Sequence, residues 1–204
     1  MNRQTAKDLT DLLHLLPPPL RRHSSRVAAC SAIMAEHAGR FIRSSDTPSG
    51  SSLMAIAHTA GICHDIGKLL IPTLNVQETA YLRHPAMGAG LLRRYQETLF
   101  SSKKQTQMFL DIVRYHHERP NGRGFPDGLH TRDIPLMAGL CSIANELDHR
   151  LGSTESASDV FNEMKLLEGS LFCETAMVCF ERAWPQLIEQ YRKIGYSRIR
   201  VSDK

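Results

Sequence analysis

An all-α fold is the architecture that this sequence predicts, on three observations. Apolar residues recur at three- and four-residue steps in one segment after another, as on a single helix face. No stretch carries the apolar–polar alternation of a half-buried strand. The core must also rest on Leu, Ile, Ala and Met, because aromatics are only 6% of the chain with a single Trp. All of these but Ile lose little rotamer freedom in a helix. With 204 residues, 42% hydrophobic and 23% charged, the chain suits one packed domain with short extensions.

The elements follow in order. Leu9 to Leu16 forms a short helix that Pro17-Pro18-Pro19 ends, so residues 1–20 read as an N-terminal arm. From Arg22 to Ile42 the positions Val27, Cys30, Ile33, Met34, His37 and Phe41 share one face of a long helix. Residues 44–52 are polar and turn-forming, and Leu53 to about His64 is a mostly apolar, buried helix. Gly67 and Pro72 close it, and 71–76 is a connector. Helices follow at 77–83, 85–98 and 103–117. Glu118 to Asp133 holds Pro120, Gly122, Gly124, Pro126 and Gly128 and cannot be regular structure. A loop of that length in a compact domain is usually functional or disordered. Ile134 to Leu151 is again helical, and helices at 158–167 and 170–195 complete the chain, the last kinked or split by Pro185. Val160, Phe161, Met164, Leu167 and Leu171 form an amphipathic face suited to packing on the core or, as the alternative, on a second protomer. Residues 21–152 thus read as the domain core and 153–204 as C-terminal helices packed on the same domain.

A net charge of +4 and a pI near 8.9 suit an anionic substrate and equally an ordinary basic surface. The five cysteines are odd in number, form no CxxC pair and lie mostly in apolar contexts, as buried thiols of a cytoplasmic protein would. There is no signal peptide and no apolar run of membrane-spanning length.

Candidate metal ligands recur as His23, His64-Asp65, His84 and His116-His117. Adjacent helical side chains diverge by about 100°, so His64 and Asp65 reach one ion only near a helix end, where Gly67 turns the chain and Lys68 follows. His116 and His117 also point apart, which suits two metals better than one; two ions about 3.5–4 Å apart can polarise a phosphoryl group together. A histidine pair capping a helix C-terminus is the other reading of those two residues. His84 before Pro85, and His23, each suit a packing role when taken alone. His14, His37, His130 and His149 match no ligand spacing. His58, one to two turns before His64, is the one other histidine placed to line the same cavity.

Together these residues resemble the HD superfamily of metal-dependent phosphohydrolases, and within it the HD-GYP branch. The resemblance rests on HDIGK at 64–68, HP at 84–85, HHE at 116–118, NGRGFPDG at 121–128 and the DIPL segment at 133–136. It implies an HD-domain-like helical bundle and two or three divalent metals, often iron or manganese. It also implies hydrolysis of cyclic di-GMP or a related cyclic dinucleotide or phosphodiester. Neither a membrane nor a nucleic-acid polymer is an expected partner. By the same resemblance His23, His64, Asp65, His84, His116 and His117 are ligands, two ions being expected. Lys68 and Asp65 are catalytic, Lys68 at the scissile phosphate. Gly122, Gly124, Phe125 and Pro126 form the signature loop at the substrate.

The departures are informative. Asn145 stands where the family has an aspartate ligand, and an amide oxygen brings no charge to a hard cation. Glu146 replaces it only if the helix register shifts. Gly139 replaces an arginine, the basic segment expected beyond Leu151 is missing, Pro19 stands where tri-metal members have a glutamate, and Phe125 lacks the tyrosine hydroxyl. Two readings remain open: a working phosphodiesterase, or a weak or inactive module that binds a nucleotide or a signalling partner.

Overall fold

A computed structural model describes residues 8–42, 48–71, 78–100, 102–152 and 156–194. Its elements are α-helices α1 (Leu9–His14), α2 (Pro18–Ala35), α3 (Gly50–Cys63), α4 (Glu78–Tyr81), α5 (His84–Leu92), α6 (Gln96–Leu99), α7 (Lys103–Tyr115), α8 (Leu136–Leu151), α9 (Ala157–Lys165) and α10 (Glu174–Lys193). Short 3-10 turns occupy Ile66–Leu70 and Arg93–Tyr95. Among the described residues no strand occurs, only the isolated bridges Asn121–His130 and Glu168–Phe172. The all-α prediction holds.

Several boundaries differ from the sequence expectation. The prolines that close α1 also open α2: Pro17 is its N-cap, and Pro18 and Pro19 sit in the first turn, where a missing N–H has no helical partner to lose. Leu12 and Leu16 are buried, so the arm is pinned to the domain. Helix α2 ends at Ala35, and the bonds beyond it tighten to three-residue steps at His37, Ala38 and Phe41. Phe41, expected on the buried face, is 37% exposed. Helix α3 begins three residues early because the Ser49 hydroxyl accepts from the Ser52 N–H and caps it. Helix α10 continues through Pro185. One lost donor does not end a helix whose face carries buried Phe180, Ala183, Leu187 and Tyr191. Residues 43–47, 72–77 and 153–155, which hold much of the expected 44–52 loop, the 71–76 connector and the linker after Leu151, lie outside the described residues.

Helix α8 is the central rod. It packs on α2, α7 and α10, and so is buried nearly all round, as a helix enclosed by others must be. Helix α2 lies across α3 at close range. A Cβ on Gly61 would stand 2.5 Å from Ala28 Cα and 2.8 Å from Ala28 N, so a glycine is required there. That approach brings the end of α3 beside the start of α2. Helix α5 packs on the 3-10 turn Ile66–Leu70 and on α7. Val160 and Met164 of α9 are buried, and the Phe161 ring stacks on Phe180 of α10, centroids 5.6 Å apart. No helix among the described residues is long and apolar enough to cross a membrane.

Candidate metal centre

The ends of α3 and α7, the start of α5 and the first turns of α2 converge on one buried point. His64 caps the C-terminus of α3 and His116 that of α7, while His84 opens α5. Each uses its ring in the same way. Nδ1 donates to the carbonyl oxygen three residues earlier: His64 to Gly61 at 2.8 Å, His84 to Tyr81 at 2.7 Å, His116 to Val113 at 2.8 Å. A carbonyl can only accept, so the proton is on Nδ1 and the Nε2 lone pair points inward. All three residues are fully buried, and none of the three Nε2 atoms has a hydrogen-bond partner. Buried polar atoms of that kind require an explanation.

Asp65, 1% exposed, stands at the centre. Its Oδ1 lies 3.1 Å from His84 Nε2; its Oδ2 lies 3.4 Å from His64 Nε2 and 4.0 Å from His23 Nε2. Two groups of potential ligands therefore share one carboxylate: Asp65, His84, His116 and His117 on one side, and His23, His64 and Asp65 on the other, all within 4.8 Å of one another in each group. Lone pairs facing each other across about 3 Å repel unless a cation lies between them. Cis ligands at bonds of about 2.1 Å are separated by about 3 Å, so the spacing fits a metal. These clusters are able to bind metal.

The electrostatics agree with that use. Burial holds His116 well below the ordinary imidazole range, with the neighbouring His117, His64 and His84 adding to it. Burial and His84 hold His117 at about 3. Both rings are neutral at neutral pH, the form that ligates. For Asp65 burial acts upward, but His64, His84 and Lys68 outweigh it and keep the carboxyl well below its usual range. Lys68 Nζ donates to Asp65 Oδ2 at 2.6 Å and stands 5.2 Å from the centre of the Tyr81 ring.

His23 completes the second group. Its Nδ1 donates to Asp148 Oδ2 at 2.7 Å, and its Nε2 lies 2.9 Å from Asn145 Oδ1. Residue 145 is thus in the centre, with an oxygen turned to a ring lone pair. Asp148 is buried; burial acts upward on it, and bonds from His23, Arg26 and Tyr191 bring it down to about 2. A cavity of about 160 Å3 beside these groups is lined by Lys68, Tyr81, His117, Arg119, Asn145, Glu146 and His149, among others.

The signature loop is held from below. Glu118, 2% exposed, accepts from the backbone N–H groups of Asp127 (2.7 Å), Gly128 (3.2 Å) and Leu129 (2.8 Å). The Phe125 ring stacks on His117, centroids 4.6 Å apart, and faces His84 at 6.3 Å. Gly122 has φ 73°, and a Cβ on Gly124 would strike the backbone of Glu118 and Arg119. Gly122, Gly124, Phe125 and Pro126 are not among the residues lining the Lys68 cavity. Glu118→Gln turns an acceptor pair into one acceptor and one donor that faces N–H groups. The variant is expected to lose about 2 kcal/mol of stability and to speed hydrogen exchange at Asp127–Leu129. Unchanged exchange there would contradict the clamp.

Sequence reasoning overlooked His149, whose ring stacks on His23 at 4.8 Å and lines the cavity. Its signal was available: Asn145, Asp148 and His149 stand at i, i+3 and i+4 on α8, one helix face. His58 is corrected in the other direction. It is exposed and lines a separate groove with Arg22 and Arg26, because its position on α3 faces away from the end that carries His64. Glu146 accepts from Arg150 Nε at 2.7 Å.

Fold and site together define a helical bundle built around histidine–aspartate clusters able to bind metal. The chain belongs to the HD domain family, whose model matches residues 20–150. It is 25% identical over 186 residues to a cyclic di-GMP phosphodiesterase of Thermotoga maritima, covering 84% of this chain and 46% of the relative. It is 31% identical over 114 residues to 3'3'-cGAMP-specific phosphodiesterase 2 of Vibrio cholerae, covering 52% and 20%. The chain spans less than half the length of either. The structure of Bd1817, an HDG"Y"P protein from Bdellovibrio bacteriovorus, shares the fold with a TM-score of 0.57 at 19% identity, over 83% of this chain and 52% of that one.

Proposed function

We propose that this chain is a metal-dependent phosphodiesterase of the HD-GYP type that hydrolyses a cyclic dinucleotide such as cyclic di-GMP. One observation carries the reading: two groups of potential ligands meet at the two oxygens of Asp65, and the Nε2 atoms of His64, His84 and His116 among them are buried without a hydrogen-bond partner. The proposed ligands are His84, His116 and His117 on one ion, His23, His64 and Asn145 on the other, and Asp65 between them, with iron or manganese as the metals. When bound, such ions lower the pKa of water and polarise a phosphoryl oxygen. The chain's own groups do the rest. Carbonyl-locked Nδ1 protons keep the three Nε2 lone pairs aimed inward. Lys68, on the cavity wall, carries the positive charge for the scissile phosphate. A cavity of about 160 Å3 admits that phosphate and leaves the remainder of the ligand on the outer side, by exposed Arg119 and the loop of Gly122, Gly124, Phe125 and Pro126.

The domain of residues 21–152 carries this site, with the C-terminal helices packed on it and the arm of 1–20 before it. The cysteines are free thiols, which suits a reducing, cytoplasmic setting; burial pushes Cys30, Cys63 and Cys141 up to about 12, so they stay protonated and inert. Asn145 favours the second reading, a nucleotide- or partner-binding module, because it leaves the second ion one charge short. The test is a panel of cyclic di-GMP and 3'3'-cGAMP incubated with metal-loaded protein and analysed for linear product. Turnover of at least one by the wild type, lost in Lys68→Ala, is expected. Saturable binding without turnover makes the module reading correct.

A further inference from the structure

Asn145 poses a problem that the surrounding residues answer. The second ligand group offers His23, His64, the shared Asp65 and a neutral amide. Behind His23 lies a carboxylate, and it is unusually well held. Asp148 Oδ2 accepts from His23 Nδ1 at 2.7 Å and from Arg26 Nη2 at 2.9 Å; Oδ1 accepts from Arg26 Nε at 2.6 Å and from the Tyr191 hydroxyl at 2.9 Å. Four donors saturate the group and leave it one orientation. Tyr191 is fully buried and belongs to α10, beyond residue 150, where the family match ends.

We infer that Asp148 is a positioning residue for the second metal, locked in place by Arg26 and by Tyr191 of the C-terminal helix, and that it supplies through His23 the negative charge Asn145 lacks. Two physical arguments carry this. A carboxylate on Nδ1–H fixes the tautomer that leaves Nε2 as the ligand, and it raises the basicity of that nitrogen. The Nδ1 atoms of His84 and His116 in the first group, and of His64 in the second, lean instead on neutral carbonyls. The dependence on Asp148 is therefore confined to one of the two ions. The C-terminal helices become part of the metal centre rather than a support for it.

The inference rests on the two-metal reading above, and its test needs no substrate. Stepwise Mn2+ titration of the 204-residue chain gives a dissociation constant for each ion. Asp148→Asn, which frees His23 to carry its proton on Nε2, is expected to weaken the second ion about 10- to 100-fold and leave the first within about threefold. Tyr191→Phe keeps the ring and the packing and is expected to weaken the second ion about fivefold. Adding Asn145→Asp to Asp148→Asn restores the missing charge and is expected to recover most of the loss. Equal weakening of both ions, no weakening of either, or a double variant no better than Asp148→Asn overturns the inference. A wild type that binds no Mn2+ at all overturns the two-metal reading instead.

Discussion

Asp65→Ala is expected to empty the centre of both ions and to bring hydrolysis down to the uncatalysed background. Among the described residues Asp65 alone belongs to both ligand groups: Oδ1 lies 3.1 Å from His84 Nε2 and Oδ2 lies 3.4 Å from His64 Nε2. Removing the carboxylate also leaves Lys68 without its 2.6 Å partner and the histidine lone pairs facing one another. Loss of one bound ion, with the other retained at wild-type affinity, would show that the carboxylate is not shared. Elemental analysis of the purified variant, with far-ultraviolet circular dichroism to confirm the helical fold, separates these outcomes. His64→Ala differs in kind, because His64 belongs to the second group alone. It is expected to cost that ion first.

Gly67→Ala, a single added methyl, is expected to act almost as strongly and by a different route. A Cβ at residue 67 would strike the carbonyl oxygen of His84 and stand 2.7 Å from Gly88 N. Neither is the end of a flexible side chain; both are backbone of α5. The 3-10 turn and α5 must move apart, which takes His84 from Asp65. Overpacking of this sort costs about 3 kcal/mol, a large part of a domain's stability. Chemical denaturation and metal content should fall together. A variant of wild-type stability and metal content would contradict the close packing of turn and helix.

The parts of this site that were legible in the sequence are those encoded locally. His64, Asp65, Gly67 and Lys68 fall within one turn, and a helix end next to a glycine is enough to aim them at one point. His84-Pro85 and His116-His117 mark helix ends in the same way. The fold class was equally plain, because three- and four-residue periodicity reports burial of one helix face. What stayed hidden depends on contacts between distant segments. The bond from Tyr191 to Asp148 joins α10 to α8, and no spacing along the chain announces it. The role of Glu118 depended on where the loop's backbone N–H groups would turn. The division of ligands into two groups needed the two oxygens of Asp65 to be seen apart. Helix α2 shows a different limit, since Pro17 to Pro19 carry both a stop for one helix and a start for the next, and only packing decides how much of each is used.

The central claim, a two-ion centre bridged by Asp65, is tested most directly by the metal content of freshly purified protein that has never met a chelator. Two equivalents of iron or manganese per chain are predicted. A folded protein that holds none, and takes up none from excess Mn2+ under anaerobic conditions, would contradict it.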